Sequence, residues 1–148
     1  MKILSLLAFA CLSTANCSDI PKDPDKTLER IRAERHYKVG IIGSGTPLAP
    51  DRQRLFLSMV SSAAQAQPKL EEGAAEPLLA KLEEGELDLV IGAMAPHSPW
   101  SKNVSFLPPL AEEVKTGGHT HLVAMAKNGE NAWISLLHSQ ARKVAAAR

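Results

Sequence analysis

Two short apolar runs decide most of what this chain can fold into. Tyr37-Lys38-Val39-Gly40-Ile41-Ile42 and Leu87-Asp88-Leu89-Val90-Ile91-Gly92 are rich in β-branched residues, and a glycine follows or closes each. Their near-continuous apolar character predicts strands buried on both faces, as in a parallel sheet. Helical signals stand between them. Pro50 and Asp51 open a helix with proline in its first turn; Leu55, Met59 and Ala63 recur at i, i+4 spacing, with Phe56 and Val60 beside them. Glu76 to Glu84 reads as a second helix with Leu78, Leu79 and Leu82 inward and Gly85 at its C-cap. Pro68 to Gly73 is a weak edge strand. Upstream, Asp25 is a candidate N-cap for a short helix that carries Leu28 and Ile31 and ends near His36. Downstream, 95–109 reads as a long proline-containing loop, Thr116-Gly117-Gly118 as a turn, and Leu122 to Ala126 as a third strand. Asn128-Gly129 turns into a last helix from Asn131 to about Val144, with Trp133, Leu136, Leu137 and Ala141 on its apolar side. Strands alternating with helices predict one α/β unit, a mostly parallel sheet flanked by helices. A length of 148 residues suits a single domain.

The first seventeen residues carry a different signal. Met1-Lys2 is a short positive start, Ile3 to Leu12 is uncharged and mostly apolar, and Ser13, Thr14 and Ala15 are small. This pattern predicts a secretory signal peptide over 1–17. The apolar run is too short for a permanent transmembrane helix, which needs about 20 residues. Two outcomes stay open: simple cleavage after Ala15, or lipid attachment at Cys17. The expected organisation is a signal at 1–17, a polar linker at 18–26 and an α/β lobe at 27–148. Export places the mature chain in the periplasm or outside the cell, an oxidising compartment.

Charge and motif content narrow the chemistry. The chain has 17 basic and 16 acidic residues, and losing Lys2 makes them equal. A neutral chain has no sequence-independent attraction for nucleic acid, and 4% aromatic residues supply few stacking platforms. Gly43-Ser44-Gly45 lacks the third glycine of a dinucleotide loop, since Leu48 stands there, and no Gly-Lys-Ser/Thr follows it. Ser44 is not a hydrolase nucleophile, because Ile42 replaces the first glycine of that elbow. The loop is either a plain turn or a ligand-facing loop at a strand's carboxyl end, where α/β sheets place their sites. His119-x-His121 puts two imidazoles on one strand face without a third ligand at clear spacing, so exposed polar histidines are the expectation, and no metal site or cofactor is assigned. Asp88 should cap or hydrogen-bond locally, and Trp133 should be core.

Three stretches together resemble bacterial extracellular solute-binding proteins of family 3, the amino-acid type of ABC-transporter receptor. They are Thr27 to Glu34 leading into Tyr37-Lys38-Val39-Gly40-Ile41; Leu79-x-x-Leu82-x-x-Gly85-x-x-Asp88 leading into Leu89-Val90-Ile91-Gly92; and Lys102-Asn103-Val104-Ser105-Phe106 running to Pro109. Gly129 to Trp133 and the last helix are similar to the segment where such proteins return to their first lobe. The resemblance implies a type-two periplasmic binding fold. Only about ten residues, Ala111 to His121, stand where the second lobe would be, so it implies the first lobe alone.

The resemblance also locates a site and shows how it has changed. The family's carboxylate-gripping Arg lies six residues before the matching Phe, and here that position is Trp100. The family's Thr three residues earlier corresponds to His97; Leu107 and Leu110 replace a Ser and a Tyr. Without the bidentate guanidinium the strongest carboxylate contact is missing. The candidate ligand-binding residues are Ser44, Thr46, Met94, His97, Trp100 and Lys102, with no catalytic set. The expected function is an exported, non-catalytic module that binds a small solute, an amino acid or small organic molecule, weakly on an open one-lobe shelf, with an ABC permease or other membrane complex as partner. The alternative is a lobe that has lost its ligand and docks on such a complex.

Overall fold

The structure is a computed structural model that describes residues 23–43, 48–115 and 118–147. The expected signal at 1–17 with Cys17, most of the linker, and Ser44 and Thr46 lie outside the described residues. Helix α1 (Thr27–Glu34) leads into strand β1 (His36–Ile42), helix α2 (Pro50–Ala64), strand β2 (Gln67–Gly73), helix α3 (Ala75–Glu84) and strand β3 (Leu89–Met94). A 3-10 helix (Pro99–Lys102), strands β4 (Val104–Phe106), β5 (Ala111–Lys115) and β6 (Gly118–Lys127), and helix α4 (Asn131–Ala146) follow.

The sheet runs β2-β1-β3-β6-β4, with β5 also paired to β6. β1 is parallel to β2 and β3, as the two apolar runs predicted. The sheet as a whole is mixed, because β6 is antiparallel to β3, β4 and β5. After β3 the chain returns through a short strand and a hairpin, and such connections give antiparallel pairs where a helical crossover gives parallel ones. The expected 95–109 loop thus contains the 3-10 helix and β4. The stretch from Ala111 to His121 is the β5–β6 hairpin, closing with Lys115 opposite Gly118. The third strand is longer than Leu122 to Ala126, and β3 sits two residues later than the apolar run suggested.

Each sheet face carries its own core. On one face Tyr37, Val39, Leu89 and Ile91 meet Ile31 of α1, Phe56 and Val60 of α2, and Trp133, Leu137, Ala141 and Val144 of α4. On the other, Val90, Val104, Val123 and Met125 lie under Leu78, Leu79 and Leu82 of α3. Successive side chains of a strand point to opposite faces, so β3 feeds both clusters. In α2 the buried residues are Phe56, Val60 and Ala64, while Leu55 is 39% exposed. The expected stripe is therefore off by one residue, which rotates the buried face by about 100°.

The amino end of the lobe is closed by long-range polar contacts. Asp25 is not the cap of α1. Lys26 holds that position with a left-handed backbone and no side-chain cap. The acceptor is Glu130, fully buried, whose Oε1 and Oε2 take the Asp25 and Thr27 amides at 2.9 Å each. In return Asp23 Oδ1 accepts from the Ala132 amide at 2.9 Å, in the first turn of α4. Residues 23–26, expected in the linker, are thereby fixed to the lobe. Asp88, also buried, accepts from the Lys38 amide at 2.8 Å and pairs with Arg30. Burial works against the Arg30 charge, but the hydrogen bond and charge of Asp88, together with the charges of Glu34 and Asp25, outweigh it and raise the guanidinium's pKa. The Asp88 carbonyl accepts from Trp133 Nε1 at 2.7 Å, and the Trp133 ring stands edge-on to Tyr37 at 5.7 Å. Helix α1 ends at Glu34, so His36 opens β1 and does not close the helix.

Candidate functional site

The carboxyl edge of the parallel strands is built from the end of β1, the Gly73–Ala75 step into α3, and the end of β3. Two features fix its shape. Gly92 lets β1 and β3 approach: a Cβ there would sit 2.5 Å from the Ile42 Cβ, nearer than two carbons can pack. Ile42, Ala75, Met94, Trp100 and Phe106 form the partly buried rim of the α3-side core. Met94 therefore lies where the sequence placed it, at the strand end, and Trp100 joins the same rim from the 3-10 helix. The Trp100 indole N–H reaches Glu76 Oε1, in the first turn of α3, at 3.4 Å.

Lys102 departs from the expected set. Its carbonyl accepts from Asn128 Nδ2 at 3.4 Å, and Asn128 follows β6 at the amino edge, so Lys102 sits at the opposite end of the lobe from Met94. His97 is exposed in the connection between β3 and the 3-10 helix. The sequence reading missed Glu76, and it missed a pair beside Met94. In the sheet register Met94 faces His121, which faces Glu112, and His121 Nε2 lies 3.8 Å from Glu112 Oε1. The His-x-His spacing pointed at that strand; only the pairing shows that the second histidine reaches the carboxyl edge. Among the described residues no group of three or more His, Cys, Asp or Glu is placed to hold a metal ion.

Two hollows lie around this site. A shallow recess of about 160 Å³ lies beside Trp100, lined by Glu83, Pro99 and Asn103 toward the C-terminal end of α3. A wider one of about 690 Å³ opens between the start of α2, the end of α4 and the β4–β5 connection, with Arg52, Arg142 and Glu112 around Pro108 and Pro109. Arg52 is already engaged, donating to the Val144 carbonyl. The edge can thus offer an indole face, a thioether, two carboxylates and an imidazole. Among the described residues it has no bidentate arginine at the place the resemblance marks.

No sequence-family profile and no curated protein matches the chain. Solved structures do. The chain superposes with a TM-score of 0.65 on a point mutant of domain 1 of the T. maritima arginine-binding protein in its arginine-bound form, at 14% identity, covering 81% of this chain and 99% of that one. The fold is that of one periplasmic binding protein lobe. The lobe also matches a Salmonella typhimurium periplasmic binding protein of high arginine specificity, with a TM-score of 0.62 at 11% identity over 76% of this chain and 94% of that one. An ancestral cationic amino-acid solute-binding protein gives 0.64 at 9% identity, over 79% and 93%. At these identities the likeness is one of fold. Within the lobe, the β5–β6 hairpin occupies the stretch where the sequence resemblance expected a second lobe to be missing.

Proposed function

We propose that the chain is an exported solute-binding module, that residues 1–17 are its signal segment, and that it works in the periplasm by reversible, non-catalytic binding. The observation that carries this reading is the match to an isolated domain 1 whose structure is described as arginine-bound. A single lobe of this fold is thus a unit on which a small solute can be held. The place proposed for the solute is the carboxyl edge, with Met94, His97 and Trp100 from the sequence reading and Glu76 and His121 from the structure. Ser44 and Thr46, which follow β1 in sequence, belong to the same proposal.

An open shelf desolvates less ligand than two closing lobes, so affinity should be weak, about micromolar to millimolar. Thermal-shift measurements with the common amino acids and small organic acids test the reading, since a ligand that binds the folded state raises the melting point by mass action. The bound solute should change the Trp100 fluorescence and leave the buried Trp133 silent, and Trp100→Ala should abolish the response. Equal binding by Trp100→Ala would remove this edge as the site. One observation favours the docking alternative. Val114, on the hairpin, is 70% exposed, an apolar side chain on a strand that extends from the place of a second lobe. A uniform null in the solute screen with a stable co-purifying membrane complex would establish that reading.

A further inference from the structure

Strand β2 is one open edge of the sheet among the described residues, and its residues Gln67-Pro68-Lys69-Leu70-Glu71-Glu72-Gly73 have an unusual symmetry. The Gln67 amide donates to the Arg35 carbonyl at 2.9 Å and the Gly73 carbonyl accepts from Gly43 at 3.0 Å. Residues 67, 69, 71 and 73 therefore turn their backbone groups toward β1. By alternation Pro68, Leu70 and Glu72 turn theirs outward, where no strand among the described residues meets them. Pro68 fits, because proline is tolerated on the open side of an edge strand. Leu70, paired in register with the buried Val39, is 57% exposed.

We propose that a second copy of this chain pairs antiparallel along β2, with Leu70 facing Leu70 at the two-fold axis. In that register Leu70 of each copy donates to and accepts from Leu70 of the other. The Glu72 amide of each donates to the Pro68 carbonyl of the other. Lys69 of each copy then faces Glu71 of its partner, twice. Both lie on the sheet face where Glu71 already accepts from Lys81 at 2.7 Å, so each Glu71 carboxylate sits between two ammonium groups. The same charges reject the neighbouring registers: a slip of two residues sets Lys69 against Lys69, or Glu71 against Glu71, and like charges directly opposite are destabilising. Charges and a proline on an edge usually keep partners away; here they leave one self-complementary alignment. A two-fold axis makes the contact isologous. One strand pair is a small interface, so the dimer is weak, with a Kd of about micromolar to millimolar. The antiparallel pairing opens the two carboxyl edges at opposite ends of the shared sheet. The inference is therefore independent of the solute reading.

Sedimentation equilibrium of the purified chain from about 10 μM to 1 mM tests it. The expected result is a monomer–dimer equilibrium weakened by salt, with Leu70→Lys monomeric. Lys69→Glu alone and Glu71→Lys alone should each weaken association at least about tenfold, the equivalent of two like-for-opposite charge exchanges across the two-fold axis. Their equimolar mixture should recover it, because acid then faces base at both positions. Thermal melts of the dilute variants check that each stays folded. A wild-type chain that remains monomeric at 1 mM overturns the proposal. So does a dimer indifferent to Leu70→Lys, or a mixture that fails to associate.

Discussion

Glu130 offers the sharpest test of how the lobe is closed. Its carboxylate takes two backbone amides at 2.9 Å each, one fully buried at Thr27 and one partly buried at Asp25. Glu130→Ala strips both. A buried donor left without a partner costs about 1–3 kcal/mol. The Thr27 amide should sit near the middle of that range and the Asp25 amide, with access to water, near its lower end. Releasing a buried carboxylate returns part of this, and the lost packing of the side-chain stem takes it away again. The expected loss is about 3 kcal/mol, the scale of a strong helix cap plus one further bond. For a lobe of this size that corresponds to a fall in Tm of roughly 10 °C. Glu130→Gln keeps one oxygen for one amide and turns an N–H2 toward the other, so it should lose about half as much. Circular dichroism at 222 nm under heat and urea reads both. If Glu130→Ala stays within about 1 kcal/mol of the wild type, the buried carboxylate is not what holds α1 and α4 together.

Other outcomes follow from burial and close approach. Tyr37 is the chain's one tyrosine; burial raises its pKa, and its bond to the Ser61 hydroxyl offsets only part of this. The stability this supplies is complete below the unfolded phenol's pKa of about 10 and is lost as pH rises through the folded value. Absorbance at 295 nm should show a late phenolate transition, and Tyr37→Phe should flatten the alkaline fall in Tm; an early transition would place the ring in water. Gly92→Ala should destabilise by about 1–3 kcal/mol, because the new methyl meets the branch carbon of Ile42 and not a flexible side-chain end. A neutral result would mean that β1 and β3 separate there easily. Val90→Asp should abolish the folded signal, since it sets an unpaired charge under α3; an unchanged melt would refute that core.

What the sequence disclosed and what it withheld divide along physical lines. β1, β3 and α3 were legible because burial on both faces, or a cap glycine after a leucine stripe, leaves a local pattern. β4 and β5 were not: Val-Ser-Phe is too short to show alternation, and Ala-Glu-Glu-Val-Lys has little apolar content of its own. Both exist because β6 offers them a backbone ladder. The cap of α1 was misassigned to Asp25 since its true acceptor lies 103 residues from Thr27, beyond any local window. At the candidate site, Met94 and Trp100 were readable from strand end and resemblance. Glu76 and His121 needed the helix-to-turn contact and the cross-strand register. Lys102 was misplaced because two residues along a 3-10 helix carry the chain toward the other end of the sheet.

The reciprocal caps at Glu130 and Asp23 also decide which way the lobe looks. They lie at the amino edge, where β1 and β3 begin and β6 ends, so Asp23, the first described residue, sits on that side. β1 is seven residues long, which sets the carboxyl edge about 20 Å away across the sheet. A partner or surface that held the lobe at Asp23 would present that far edge outward, like a cup fixed by its base. Two Debye lengths at physiological salt are about 16 Å, so charges on a supporting surface would scarcely be felt at Met94 and Trp100. Attachment at the amino edge and capture at the carboxyl edge would then run as separate events.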